Sequence, residues 1–187
     1  MKKFSFKEIA VPAITLFLIA AICTAILAVT DGVTAPKIAE NNLQAEIATR
    51  QLVFKEAKSF SDVKTADNAT YVEALDESGN IVGYVFTTSS KGYGGEIKVM
   101  TGISADGDVT GVEILSIEET AGLGMNAKKD DFKNQYVGNN GAFTVVKSNA
   151  GDNEIQALTG ATITSQAVTD AVNVAVETLK SVTGGDK

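Results

Sequence analysis

Between residues 9 and 30 the chain carries no charged side chain; the run reads IAVPAITLFLIAAICTAILAVT. As a helix, a run of this length measures roughly 32 Å, against a hydrocarbon core of roughly 30 Å. Lipid offers the backbone no hydrogen-bond partners, so a lone span must pair its own groups as a helix. One transmembrane helix over 9–30 is therefore expected, after a short tail over 1–8. Pro12 is expected in its first turn, where a missing N–H costs little. Lys2, Lys3 and Lys7 precede the run and Asp31 follows it, which predicts a cytoplasmic N-terminus. The competing reading is a cleaved signal peptide. Against it, the run exceeds the usual apolar stretch of about 7–15 residues, and no clean Ala-x-Ala site follows. Bulky Ile22 before Cys23 likewise argues against a lipoprotein. The run holds no ionisable group, so this chain is not expected to conduct ions across the membrane by itself.

Composition narrows the chemistry of the remainder. Of 187 residues, 44% are apolar, enough for a packed core. The formal charge is −7, with +2 on the first eight residues and −9 on the rest. So acidic a surface disfavours nucleic acid as a partner, because phosphate backbones need clustered Lys and Arg. There is no His, no Trp and a single Cys. That excludes Ser-His-Asp and Cys-His catalysis, Cys/His zinc sites, Cys-ligated clusters and any disulfide within the chain.

Past the anchor, residues 36–58 read as a helix with an imperfect stripe at Ile38, Leu43, Ile47, Val53 and Phe54, and with Pro36 in its first turn. It is expected to continue the membrane helix after a break near Asp31 and Gly32. The period then changes to two. Strands are predicted over 71–76 and 81–88, joined by a turn at 76–80, and over 96–104 and 109–116 around a turn at 105–108. A short helix over 127–137, a short strand over 143–147 and a final helix over 164–182 complete the reading. The last has a stripe at Val168, Ala171, Val172, Ala175, Val176, Leu179 and Val182. Adjacent hairpins flanked by helices define an α+β domain on an antiparallel sheet. The boundaries are a tail over 1–8, a membrane helix over 9–30, a helical linker over 31–60 and a domain over 61–187.

Two segments depart from this ordinary patterning. Leu158 to Ser165, LTGATITS, opens the last helix with four hydroxyls and a glycine. Unpaired N–H groups and the positive end of the helix dipole would favour an anion there, particularly a phosphate. Plain N-capping by Ser or Thr explains the same residues. Glu118 to Met125, EETAGLGM, follows a strand, and Gly122 and Gly124 around Leu123 allow a tight turn that could approach a flat ligand. A simple strand-to-helix connection explains that spacing equally well, and the segment is far from a dinucleotide-binding fingerprint.

The run Thr159, Gly160, Ala161, Thr162, followed by Ile163, Thr164 and Ser165, resembles the flavinylation motif of the FMN-binding domain family. These domains occur in the G subunit of the Rnf electron-transport complex and the C subunit of the sodium-pumping NADH:quinone reductase. Glu119, Thr120, Ala121, Gly122, Leu123 and Gly124 are similar to that family's Glu-Thr-Pro-Gly-Leu-Gly loop, and Asp131 to Gly138 resembles the segment after it. Length and layout resemble the Rnf G subunit more than the longer reductase subunit. Gln156 stands where the motif often has Asp, and Ala121 replaces the loop proline.

The resemblance implies an extracytoplasmic FMN-binding domain behind one transmembrane helix. It implies FMN joined to Thr162 by a phosphoester, with Thr159, Gly160, Ala161, Thr164 and Ser165 around the phosphate and Glu119, Thr120, Gly122, Leu123 and Gly124 near the flavin. A chain without His, metal ligands or usable cysteines moves electrons only through such a cofactor. A tether holds the cofactor at roughly millimolar local concentration or more, where no free pool replaces it. Threonine is a weak nucleophile and no base such as His is at hand, so a separate flavin transferase would attach the FMN. The protein would be an electron-carrying subunit of an Rnf-type, ion-translocating ferredoxin:NAD oxidoreductase complex, without a catalytic site of its own. A stand-alone membrane-tethered flavoprotein serving an extracytoplasmic reductase is the alternative. A pilin-like structural protein is a third class, and it would leave the Thr-Gly-Ala-Thr run unexplained.

Overall fold

The computed structural model describes residues 6–184; positions 1–5 of the expected cytoplasmic tail lie outside them. The first element is a long helix, α1, Phe6–Val53. Among the described residues it is the one helix long and apolar enough to cross a membrane, with a stretch of mean hydropathy 2.5. Four successive side chains, Leu16, Phe17, Leu18 and Ile19, are all exposed. Apolar groups thus surround the helix, as lipid requires. The hydroxyl of Thr15, inside the run, donates to the Val11 carbonyl at 2.9 Å and needs no outside partner.

The expected break at Asp31 and Gly32 is absent, and both Pro12 and Pro36 lie inside the helix rather than in first turns. An interior proline costs about 3 kcal/mol. Ending and restarting a helix would instead leave four N–H and four C=O groups unpaired at the gap. Continuity is the smaller loss.

Residues Met1–Ala45 and Glu46–Lys187 form two separate compact units. The second starts with the last turns of α1 and holds an antiparallel sheet of β1 (Ser59–Phe60), β2 (Lys64–Ala66), β3 (Ala69–Leu75), β4 (Ile81–Lys91), β5 (Glu96–Ser104) and β6 (Val109–Ser116). The order is β1-β3-β4-β5-β6, with β2 also pairing along β3. The helix expected in a linker over 31–60 thus ends at Val53, and residues 59–60 already belong to the sheet.

Alternation along the strands buries both faces. Phe86, Ile97, Val99 and Ile103 pack in one cluster with Val168, Ala171, Val172 and Ala175 of the last helix, α3, Thr162–Thr183. Val72, Ala74, Val85 and Met100 pack in a second cluster with Val53, Phe54 and Ala57. The Thr88 hydroxyl donates to the Ala171 carbonyl at 2.9 Å, fastening α3 to the sheet. Thr110 Oγ1 donates to the Val53 carbonyl at 2.7 Å, and a Cβ on Gly111 would meet the Val53 backbone at 2.8 Å. Gly111→Ala should therefore cost about 1–3 kcal/mol by overpacking. A lower denaturant midpoint at unchanged slope is the expected readout.

Between sheet and α3 the chain is less regular than its sequence suggests. The helix expected over 127–137 is a 3₁₀ turn, Gly124–Lys128, and a single α turn, α2, Asp130–Lys133. Extended Lys129 separates them (φ −74°, ψ 145°). The strand expected over 143–147 is β7, Thr144–Val146, and it pairs in parallel with β8, Glu154–Gln156, rather than with the main sheet.

Candidate functional site

The two unusual segments meet. Glu119, Thr120, Leu123 and Gly124 line a cleft of about 550 Å³ together with Gly160, Ala161, Thr162, Ile163, Thr164 and Tyr93. That volume lies within the roughly 300–1,000 Å³ usual for small-molecule sites. Absent side chains bring the segments close. A Cβ on Gly124 would meet Thr164 Oγ1 at 2.8 Å and Glu119 Cβ at 2.7 Å. Gly160 adopts φ +75°, and a Cβ there would meet Leu123 Cδ2 at 3.1 Å.

The 158–161 loop is pinned from beneath. Its turn closes with Ala161 N donating to the Leu158 carbonyl at 2.9 Å. Ser165 Oγ accepts from Leu158 N at 2.9 Å and donates to the Ala161 carbonyl at 3.0 Å. Thr169 Oγ1 donates to the Ser165 carbonyl at 2.9 Å and shares a 2.8 Å hydrogen bond with the Tyr136 hydroxyl. Burial pushes the Tyr136 phenol well above its ordinary pKa despite that bond. It stays neutral and acts as a fixed strut under the loop. Gln135 steadies the preceding strand, its Oε1 accepting from Gln156 N at 2.7 Å.

Hydroxyl capping, the plain reading of this segment, does not occur. The N-cap of α3 is Ala161 and no side chain caps the helix. Ser165 N already donates to the Ala161 carbonyl, whereas the N–H groups of Thr162, Ile163 and Thr164 have no acceptor among the described residues. Thr162 is exposed on the first residue of the helix. An exposed hydroxyl beside three free N–H donors at the positive end of a 22-residue helix is suited to an anion, above all a phosphate.

The other wall supplies apolar surface. Leu123 is 42% and Ile163 57% exposed at the cleft, and Tyr93 is 74% exposed. Glu119 Oε1 accepts from Tyr93 N at 2.7 Å and Gly94 N at 3.2 Å, so this carboxylate ties the β4–β5 turn to the 119–124 loop. A phosphate-ready helix terminus facing a partly apolar wall fits a nucleotide-like ligand with a flat ring, and FMN has both parts.

Not every expected residue reaches the cleft. Thr159 is exposed outside its lining, and Ser165 is buried with its hydroxyl committed to the loop. Gly122, at φ +78°, has open space around it and shapes the turn instead, its carbonyl accepting from Asn126 Nδ2 at 2.7 Å. Of the Gly122, Leu123, Gly124 turn, only the last two residues line the cleft. Ile163 lines the cleft too, though the sequence marks it only as part of the run, and sequence reasoning misses Tyr93 altogether. Its signal is faint: one aromatic among three glycines, Gly92, Gly94 and Gly95, between two strands.

Comparison with known proteins bears on the same stretch of chain. Residues 92–177 match the FMN-binding domain model, a stretch that contains every cleft residue. Residues 1–53 match the RnfG N-terminal region. The chain is 38% identical to the G subunit of the Na(+)-translocating ferredoxin:NAD(+) oxidoreductase complex from Acetobacterium woodii, with 89% of each chain covered. It is 32% identical to the G subunit of the ion-translocating oxidoreductase complex from Methanosarcina acetivorans, over 95% of this chain and 98% of the other. Among solved structures, NqrC of Shewanella oneidensis shares the fold at a TM-score of 0.50 and 19% identity, covering 66% of this chain and 67% of that one.

Proposed function

This chain belongs to the family of G subunits of ion-translocating oxidoreductase complexes, and from that premise we propose that it carries electrons in such a complex through an FMN bound covalently at Thr162. The complex is of the ferredoxin:NAD oxidoreductase type, and this subunit is its membrane-anchored electron-transfer component. FMN supplies the one- and two-electron transfer when bound. The chain's own residues bind and orient it. The free N–H groups of Ile163 and Thr164 receive the phosphate, Thr162 Oγ1 provides the ester oxygen, and Leu123 and Ile163 offer apolar surface to the ring.

The observation that carries this reading is that Thr162, an exposed residue at an uncapped helix start, lines one cleft with residues of the 119–124 loop. The carboxylate in that cleft, Glu119, has an oxygen engaged by two backbone donors, and a threonine hydroxyl is a weak nucleophile. A separate flavin transferase therefore makes the bond, with this protein as its substrate: the threonine oxygen displaces the leaving group from phosphorus of an activated flavin nucleotide, and its proton passes to solvent. Native isolation through a C-terminal tag should bring down multi-span membrane subunits with a yellow chain heavier by one FMN less one water. A lone chain of unmodified mass would contradict the proposal.

Residues 9–30 span the membrane, 1–8 stay in the cytoplasm, and the FMN domain, 61–187, works on the far side. Lys2, Lys3 and Lys7 before the span support that orientation. Protease added outside intact spheroplasts should digest the chain beyond Asp31. Digestion only after the membrane is opened would reverse the orientation.

A further inference from the structure

The turn between β4 and β5 is held more firmly than its hairpin requires. The ladder runs to the pair Lys91 and Glu96, and Gly92 N donates to the Gly95 carbonyl at 2.8 Å, which already closes the turn. Glu119 then adds its carboxylate to Tyr93 N and Gly94 N. The turn also presses on its neighbour: a Cβ on Gly92 would strike Glu119 Oε1, and one on Gly94 the Glu118 carbonyl. Three glycines make such a turn costly to fix, and charge-assisted bonds to backbone N–H groups are strong enough to fix it. Its one side chain is the ring of Tyr93, 74% exposed and on the cleft wall.

We propose that Tyr93 packs its ring against the isoalloxazine of the bound FMN, and that Glu119 is the positioning residue that holds Tyr93 there. This rests on the reading of the cleft as the FMN site. A phenol ring and a flavin are both flat and polarisable, and offset or edge contacts between such rings are favourable. Glu119 acts through the geometry of the turn, as an acceptor of two N–H bonds, rather than through its charge on the flavin.

The test uses the full chain in detergent, made with and without a flavin transferase, as wild type, Tyr93→Leu, Glu119→Gln, Glu119→Ala and the Glu119→Ala/Tyr93→Leu double variant. A tyrosine in contact with a flavin quenches its fluorescence by electron transfer. In flavin-loaded protein, Tyr93→Leu should lengthen the fluorescence lifetime severalfold. Glu119→Ala should follow it, and the double variant should match Tyr93→Leu, because residues in one linkage are not additive. Glu119→Gln keeps an acceptor oxygen and should resemble wild type. In flavin-free protein, hydrogen exchange of the peptide bearing Tyr93 and Gly94 should quicken roughly tenfold in Glu119→Ala and distinctly less in Glu119→Gln, which keeps the acceptor oxygen but loses the charge assistance. The exchange measurement decides Glu119's role even where Glu119→Ala loads poorly. An unchanged lifetime in loaded Tyr93→Leu overturns the ring contact. Glu119→Gln behaving like Glu119→Ala overturns the positioning role in favour of charge. A wild-type chain that takes no flavin overturns the reading of the cleft, and this inference with it.

Discussion

Thr162→Val should abolish covalent FMN while leaving the protein folded. Valine keeps the β-branched shape and nearly the same volume, and removes the one oxygen proposed to form the ester. Position 162 is exposed and opens α3, and its hydroxyl caps nothing. The loss of stability should therefore stay below the roughly 0.5–2 kcal/mol of a lost cap. Wild-type chain made with the transferase should show a flavin-fluorescent band on a denaturing gel, and the variant none. Thr164→Val and Thr159→Val should retain the band. Thr164 is buried, its side chain already against Gly124, and Thr159 lies outside the cleft lining. A fluorescent Thr162→Val band would move the attachment to a neighbouring hydroxyl.

The second large effect is expected at Gly124, where the two walls touch. A Cβ there would sit 2.7 Å from Glu119 Cβ, 2.8 Å from Thr164 Oγ1 and 2.9 Å from Glu119 Oε2. Valine adds two further methyl groups. Overpacking of this kind costs about 1–3 kcal/mol, and here the strain separates the 119–124 loop from the start of α3. Gly124→Val should lose most of its flavin in expression with the transferase and unfold several degrees lower. Gly122→Ala is the comparison, because open space surrounds that residue. It strains one φ angle without filling the cleft, so flavin content should fall far less. Equal loss in both variants would show that the loop's conformation matters and the Gly124 contact does not.

The legible parts of this fold are those where one physical signal dominates. β5 and β6 run over 96–104 and 109–116, as alternation between turns rich in Gly and Asp predicts. The α3 stripe of Val168, Ala171, Val172, Ala175, Val176 and Leu179 is buried. β1, β2 and β8 have two or three residues each. No period can be read over so few, and they exist because β3 and β7 offer them edges. Asp31 and Gly32 are local helix breakers, yet α1 runs through them, because a break would leave more backbone hydrogen bonds open than two poor helix formers cost. In the site, Thr162, Thr164, Leu123 and Gly124 are legible from two short runs, but not Ser165's service to the loop, which depends on where Leu158 folds back. Tyr93 is hidden because it joins the cleft through Glu119, 26 residues along the chain.

The most direct measurement is the site of modification itself. Trypsin should release residues 148–180, bounded by Lys147 and Lys180, as one peptide holding Thr159, Thr162, Thr164 and Ser165. Fragmentation of that peptide from natively expressed protein should place one FMN less one water on Thr162. The same mass on Thr159, Thr164 or Ser165, or an unmodified peptide from a chain made with its transferase, would contradict the assignment of this cleft.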